Sequence, residues 1–189
     1  MKTKEKAFFE SFRDIVKAVH SSLDVQTVLQ ATVERVTEVM GLKGCAIRLL
    51  HPKMRTLELS ASCGLSDKYI KKGSVAADKS IAEAMKGKTV IISDVRTDPR
   101  AQYPQEAAAE GIASMVSIPL SVKGSVIGVM RLYTNEPRDF DKAELNFAEA
   151  LAEIGAIAIE NARLYESMKK DYQSVMEDIH SFVGYRRTI

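Results

Sequence analysis

Residues Met115 to Tyr133 carry two apolar, β-rich runs that flank Lys123-Gly124-Ser125. Runs of that kind joined by a Gly-containing tight turn predict a hairpin, with strands over Met115–Val122 and Val126–Thr134. Gly44–Leu50 reads as an earlier strand, His51-Pro52-Lys53-Met54-Arg55 as a hairpin loop, and Thr56–Ser62 as the partner strand. In that partner Leu57, Leu59 and Ala61 alternate strictly with Glu58, Ser60 and Ser62. Val90-Ile91-Ile92 adds a further short strand. Two hairpins and a further short strand are therefore expected within a single αβ domain.

Helical periods surround these strands. Phe8, Phe12, Ile15 and Val19 lie on one face of a helix over about Thr3 to His20. Ser21-Ser22-Leu23-Asp24 offers N-cap oxygens to a second helix over Val25–Met40, which Gly41 closes. Short helices are expected over Asp67–Lys72, from the capping-box spacing Ser80-Ile81-Ala82-Glu83 to Gly87, and over Gln105–Glu110. Asp141 caps a last, long helix that runs to about Phe182. Along it Phe147, Leu151, Ile154, Ala158, Asn161, Tyr165, Met168, Tyr172, Val175, Ile179 and Phe182 follow alternating steps of four and three, a heptad seam with one polar member. Beyond Met168 no later segment is available to cover the stripe, so a homodimer through the terminal helices is expected. At its seam position Asn161 either fixes register or bonds the neighbouring sheet edge.

The composition sets limits on function. With 27 basic against 25 acidic residues the net charge is +2, which gives no electrostatic reason to expect nucleic acid or a membrane surface as partner. No signal peptide or bilayer-spanning run is expected, and two cysteines without metal-ligand spacing fit a reducing cytoplasm. His20, His51 and His180 are scattered, and no GxSxG, HExxH, P-loop or GxGxxG pattern is present. A non-catalytic protein is expected. Cys45 and Cys63 read as small packed apolar residues, with a thiol sensor as the alternative.

Three stretches together resemble the GAF domain family: the Met115–Tyr133 hairpin, the run Phe140-Asp141-Lys142-Ala143-Glu144-Leu145, and the Ala- and Ile-rich segment Ala152–Tyr165. The Leu23-Asp24 helix entry and the Ser93-Asp94…Asp98-Pro99-Arg100 loop extend the resemblance over about 23–165. It implies an α/β (α+β) fold: a central antiparallel sheet of five to six strands, helices packed on one face, and a ligand pocket on the other. Residues 1–22 then form an N-terminal helix and 166–189 a C-terminal helical extension.

Departures from family subgroups narrow the function. Cyclic-nucleotide-binding members carry an Asn-Lys…Phe…Asp-Glu signature; here Asn135 and Phe140 match, but Glu136 replaces the Lys and Glu144-Leu145 the acidic pair. Bilin-binding relatives attach pigment through a Cys-His pair that neither cysteine offers. The spacing of Cys45 and Cys63 does not match free methionine sulfoxide reductases of this fold.

Alternation places candidate ligand contacts. If Ile47, Leu49, Leu57, Leu59, Val116, Ile118, Leu120, Met130 and Leu132 face the helices, then Arg131, Arg48, Tyr133, Ser117 and Glu58 share the other face, which holds ligand in the family. Arginine forks there suit a small anionic or polar ligand. Cross-strand ion pairs of Glu58 with the arginines are the competing reading. The expected function is a cytoplasmic signal-transduction sensor that relays ligand binding through a helical dimer interface, with its output on another polypeptide or further along a longer chain. A dimerisation module with a vestigial pocket is the alternative, and a thiol-dependent free methionine sulfoxide reductase a more distant one. No cofactor is assigned.

Overall fold

The computed structural model describes residues 2–21, 24–51, 56–73 and 81–185. Helix α1 spans Lys2–Ser21. Helix α2 spans Val25–Met40, opened by the Asp24 carboxylate, which accepts from the Gln26 and Thr27 amides at 3.1 and 3.3 Å. Gly41, at φ 60°, ends it in the left-handed region. Strands β1 (Gly44–Leu50) and β2 (Leu57–Cys63) follow, then the one-turn helix α3 (Asp67–Ile70). The expected capping box begins at Ser80, outside the described residues; beyond it lies a single 3-10 turn, Ala84–Lys86. Strand β3 (Val90–Ile92), helix α4 (Pro104–Ala109), strands β4 (Ser114–Val122) and β5 (Ser125–Thr134) and helix α5 (Lys142–Tyr185) complete the order.

The five strands form one antiparallel sheet in the order β2-β1-β5-β4-β3. Its β4–β5 hairpin turns on Lys123 and Gly124 alone, both at positive φ (50° and 79°), the backbone that matches strand twist across a two-residue loop. Helices α1, α2 and α5 cover one face. There Leu29, Val33, Val36, Ile47, Val116, Ile118, Leu120, Met130, Leu132, Leu151 and Ile159 form the main core. The Phe8 and Phe147 rings stack at 4.3 Å and join α1 to α5.

Strict alternation fails in β2. A bulge between Ile47 and Arg48 shifts the register, so Ile47 faces Ala61 while Arg48 faces Leu59 and Leu49 faces Glu58. Ala61 joins the helix-side core, whereas Leu57 packs on the opposite face with Ile81, Ala84, Val90 and Val129. One extra residue is enough to move every later side chain across the sheet.

The α1 stripe also differs from expectation. Phe8 and Ile15 are buried within the chain's own core rather than left for a partner. The α5 seam divides: Phe147, Leu151 and Ala158 are buried in the chain's own core, whereas Tyr165, Met168, Tyr172 and Val175 are about half or more open to solvent, as are Ile157 and Leu164 beside them. The side chains of Ile179 and Phe182 lie outside the described residues. Asn161 is exposed on the same helix. Among the described residues no helix is long and apolar enough to cross a membrane.

Candidate ligand-binding face

The sheet face away from the long helices is organised in cross-strand rows. Ala46, Arg131, Ser117 and Val90 lie side by side on β1, β5, β4 and β3. The neighbouring row runs Leu59, Arg48, Val129, Pro119, and the one on the other side Gly44, Tyr133, Met115, Ile92. Four of the five expected contacts, Arg48, Arg131, Ser117 and Tyr133, are thus brought together. All four are buried beneath the loops and short helices.

Glu58 is not among them. The bulge turns it to the helix side, where it is exposed and forms no ion pair with either arginine. Sequence alternation could not foresee this, because a bulge changes strand parity without an obvious residue marker.

The Arg131 Nε donates to the Ser117 hydroxyl at 3.0 Å. Arg48 is only 7% exposed, and its Nε has no hydrogen-bond acceptor. Burial holds the Arg48 guanidinium below its usual range; Arg131 pushes the same way, against the partial relief given by Tyr133 and Tyr69. The two cations sit on adjacent strands in adjacent rows.

Helix α3 adds two residues that were read only as part of a short polar helix. Ser66 caps it, accepting from the Tyr69 amide at 3.2 Å, and the Glu110 carboxylate accepts from the Ser66 amide at 2.7 Å, tying α3 to α4. Tyr69 is thereby pressed edge-on against Tyr133, ring centroids 5.8 Å apart. Lys72 folds over it, with Nζ 3.4 Å from the Tyr69 ring centre and 3.0 Å from the Tyr69 carbonyl oxygen. Burial, then Arg48 and Arg131, push the Lys72 ammonium down to about 8, with Glu106 and Glu110 opposing. The adjacent Tyr69 and Ile70 in a turn otherwise made of Asp and Lys, with Lys72 at i+3 from Tyr69, was the one available signal. A cavity of about 580 Å³ opens beside this pair, lined by Lys68, Lys72, Gln105, Glu106 and Glu110 among others.

This arrangement gathers oriented donors in a dry setting, a chemistry suited to negative charge. Ser117 is engaged by Arg131, burial pushes the Cys45 thiol far up, and no group of metal-holding side chains occurs among the described residues. The Asp94 and Asp98 carboxylates are each occupied locally, by Arg96 and Arg100 two residues on.

The sequence and the fold have counterparts. The chain is 24% identical over 176 residues, 88% of its length, to a methyl sulfide methyltransferase-associated sensor of Methanosarcina acetivorans, and spans only 18% of that relative's length. The GAF domain of a Coxiella burnetii phosphoenolpyruvate-protein phosphotransferase superposes with a TM-score of 0.77 at 19% identity, covering 86% of this chain and 98% of that one. A free methionine-R-sulfoxide reductase from Neisseria meningitidis, solved with its substrate, superposes at 0.71 and 22% identity, covering 85% and 93%. The family model of the GAF domain matches residues 22–160, and with that share of its length matched the chain belongs to the GAF domain family.

Proposed function

We propose that this chain is the sensory module of a signal-transduction protein, binding a small anionic ligand against Arg48, Arg131, Ser117 and Tyr133 and relaying occupancy through a dimer formed along α5. The observation that carries the reading is the buried Arg48 Nε without an acceptor, next to a second buried arginine. An unpaired polar group of this kind costs about 1–3 kcal/mol, a cost that makes sense where a ligand supplies the acceptor. The similarity to a protein named as a sensor supports the regulatory role. The same reading makes the domain a binder rather than a catalyst and places it in the cytoplasm, where two thiols stay reduced.

Thermal-shift screening of small carboxylates and organic phosphates tests the site. A stabilising compound should lose at least tenfold in affinity in Arg131→Ala and in Arg48→Ala. Equal affinity in both variants would put the ligand elsewhere. Turnover of free methionine sulfoxide with a thiol reductant, lost in Cys63→Ser, would replace the sensor with an enzyme.

The dimerisation module with a vestigial pocket has its own support in the exposed α5 stripe. It predicts a dimer whose stability no anion changes.

A further inference from the structure

The two thiols take no part in ligand recognition, yet the sheet sets them opposite one another. Cys45 on β1 is the direct cross-strand partner of Cys63 on β2. Directly opposed residues of an antiparallel pair have Cα atoms about 4.5–5.5 Å apart and project to the same face. A disulfide spans Cα separations of about 4.4–6.8 Å, so either kind of antiparallel site lies within its reach. Cys45 is fully buried in the helix-side core, and Cys63 packs against that core while keeping a partly exposed surface.

The backbone holds this end of the strand pair closed. A Cβ on Gly44 would lie 2.6 Å from the Cys63 carbonyl oxygen, and one on Gly64 would lie 2.2 Å from the Lys43 carbonyl oxygen. Only glycine at both positions permits so close an approach. The fold itself thus sets the two cysteine backbones opposite one another at a separation a disulfide spans.

We propose that Cys45 and Cys63 form a redox-modifiable pair that closes into a cross-strand disulfide on exposure to a peroxide. Cys63, the sulfur that solvent reaches, takes an oxygen from the peroxide; the O–O bond breaks and, with hydrogen peroxide, one water leaves. The Cys45 sulfur then attacks the Cys63 sulfenic acid, the S–O bond breaks as the S–S bond forms, and the Cys45 proton departs with that oxygen as a second water. Two thiols lose two electrons and one peroxide gains them. Full burial keeps Cys45 from outside reagents and leaves it as the partner that resolves the Cys63 sulfenic acid. The bond would staple β2 to β1 close to the Ile47/Arg48 bulge, so oxidation would stiffen the edge of the sheet that carries Arg48.

The whole reduced chain treated with stoichiometric hydrogen peroxide tests this. Thiols counted under denaturing conditions should fall from two to none, and non-reducing digestion should release the 45–63 cross-linked peptide. The melting temperature should rise by about 5–10 °C and return with dithiothreitol, because a closed loop of this size restricts the unfolded chain. In Cys45→Ala, chosen because serine would put a hydroxyl in the core, one equivalent of peroxide should leave Cys63 as sulfenic acid and a second should carry it to sulfinic acid; in Cys63→Ser, Cys45 should stay reduced. If the wild type instead accumulates Cys63 sulfinic acid, or a disulfide between two chains, with Cys45 still free, the pairing is wrong.

Discussion

Arg48→Met should make the unliganded protein more stable, an unusual outcome for a substitution in the middle of a sheet. The wild-type guanidinium is 7% exposed, its Nε is unpaired, and Arg131 repels it. Leaving a buried donor unsatisfied costs about 1–3 kcal/mol, and replacing a buried ionic group by an apolar chain of similar length is often neutral or stabilising. Methionine keeps most of the aliphatic stem's packing against Val129 and Leu59, its register neighbours. The net gain is set at about 1–2 kcal/mol. For a domain of this size one kcal/mol moves Tm by about 2–4 °C, so Arg48→Met should melt about 2–8 °C above wild type. Circular dichroism melts and urea titrations with unchanged slope would measure it. Arg48→Ala removes the same charge but leaves a cavity, and should fall below Arg48→Met by about 1–2 kcal/mol. A methionine variant that melts below wild type would show that the guanidinium is well paired and refute the cost assigned to it.

Three other perturbations follow from particular contacts. Glu144 and Asp141 exchange side-chain and backbone hydrogen bonds at 2.8 and 3.0 Å at the start of α5, and Glu144 also holds Lys4 of α1 and Arg138. Burial raises the Glu144 carboxyl, but Lys4, the Asp141 amide and Arg138 outweigh it and hold it below the usual range. Its contribution is therefore complete above about pH 4.3 and lost as pH falls through the lowered value; Glu144→Gln should cost about 2–4 kcal/mol near pH 7 and flatten the acid limb of a pH-stability curve. Lys72, lowered to about 8 in the fold, binds fewer protons than the unfolded chain between about pH 8 and 10.4, so stability gains from it as pH rises through that window, and Lys72→Met should remove that rise in paired alkaline melts. Met168→Glu with Val175→Glu places charge on the exposed α5 stripe and should convert a sedimenting dimer to monomer at micromolar concentration without lowering the monomer's Tm; a monomeric wild type would remove the dimer from the proposal.

Much of the architecture is legible from local chemistry. Asp24 and Gly41 bound α2, and the Lys123-Gly124 turn bounds the β4–β5 hairpin, because capping oxygens and positive φ are demands of single residues. The pocket-side assignment of Arg131, Tyr133 and Ser117 followed from β4 and β5, whose apolar alternation is unbroken through the centre of the sheet. Glu58 and Leu59 were misplaced because the bulge belongs to the pairing of β1 with β2, which neither strand reveals alone. Tyr69 and Lys72 were passed over because their role arises from packing on Tyr133, a contact between residues far apart in sequence. The α1 stripe was given to a partner because periodicity shows that a face is apolar and is silent on which surface covers it.

The candidate site and the exposed helix are joined by continuous, well-bonded structure, which gives the proposed relay a physical route. Arg131 and Tyr133 stand near the end of β5, and Thr134 is fastened there: its hydroxyl meets that of Ser114 and donates to the Glu136 carbonyl oxygen at 2.7 Å. Arg138 then reaches back to the Met40 carbonyl oxygen at 3.0 Å and forward to Glu144, so the end of α2 and the first turn of α5 are held by one guanidinium. A second route crosses the sheet. Leu120 follows Ser117 on β4 and packs toward α5 where Gly155 leaves room, a Cβ there lying 3.7 Å from Leu120 Cδ2. In the proposed relay a ligand bridging Arg48 and Arg131 acts on β1 and β5, and both routes end on the same helix. That action can be read at a distance only if α5 moves as a unit. Its 44 residues, about 66 Å at 1.5 Å per residue, contain no proline and only Gly155 and Gly184 as weak points.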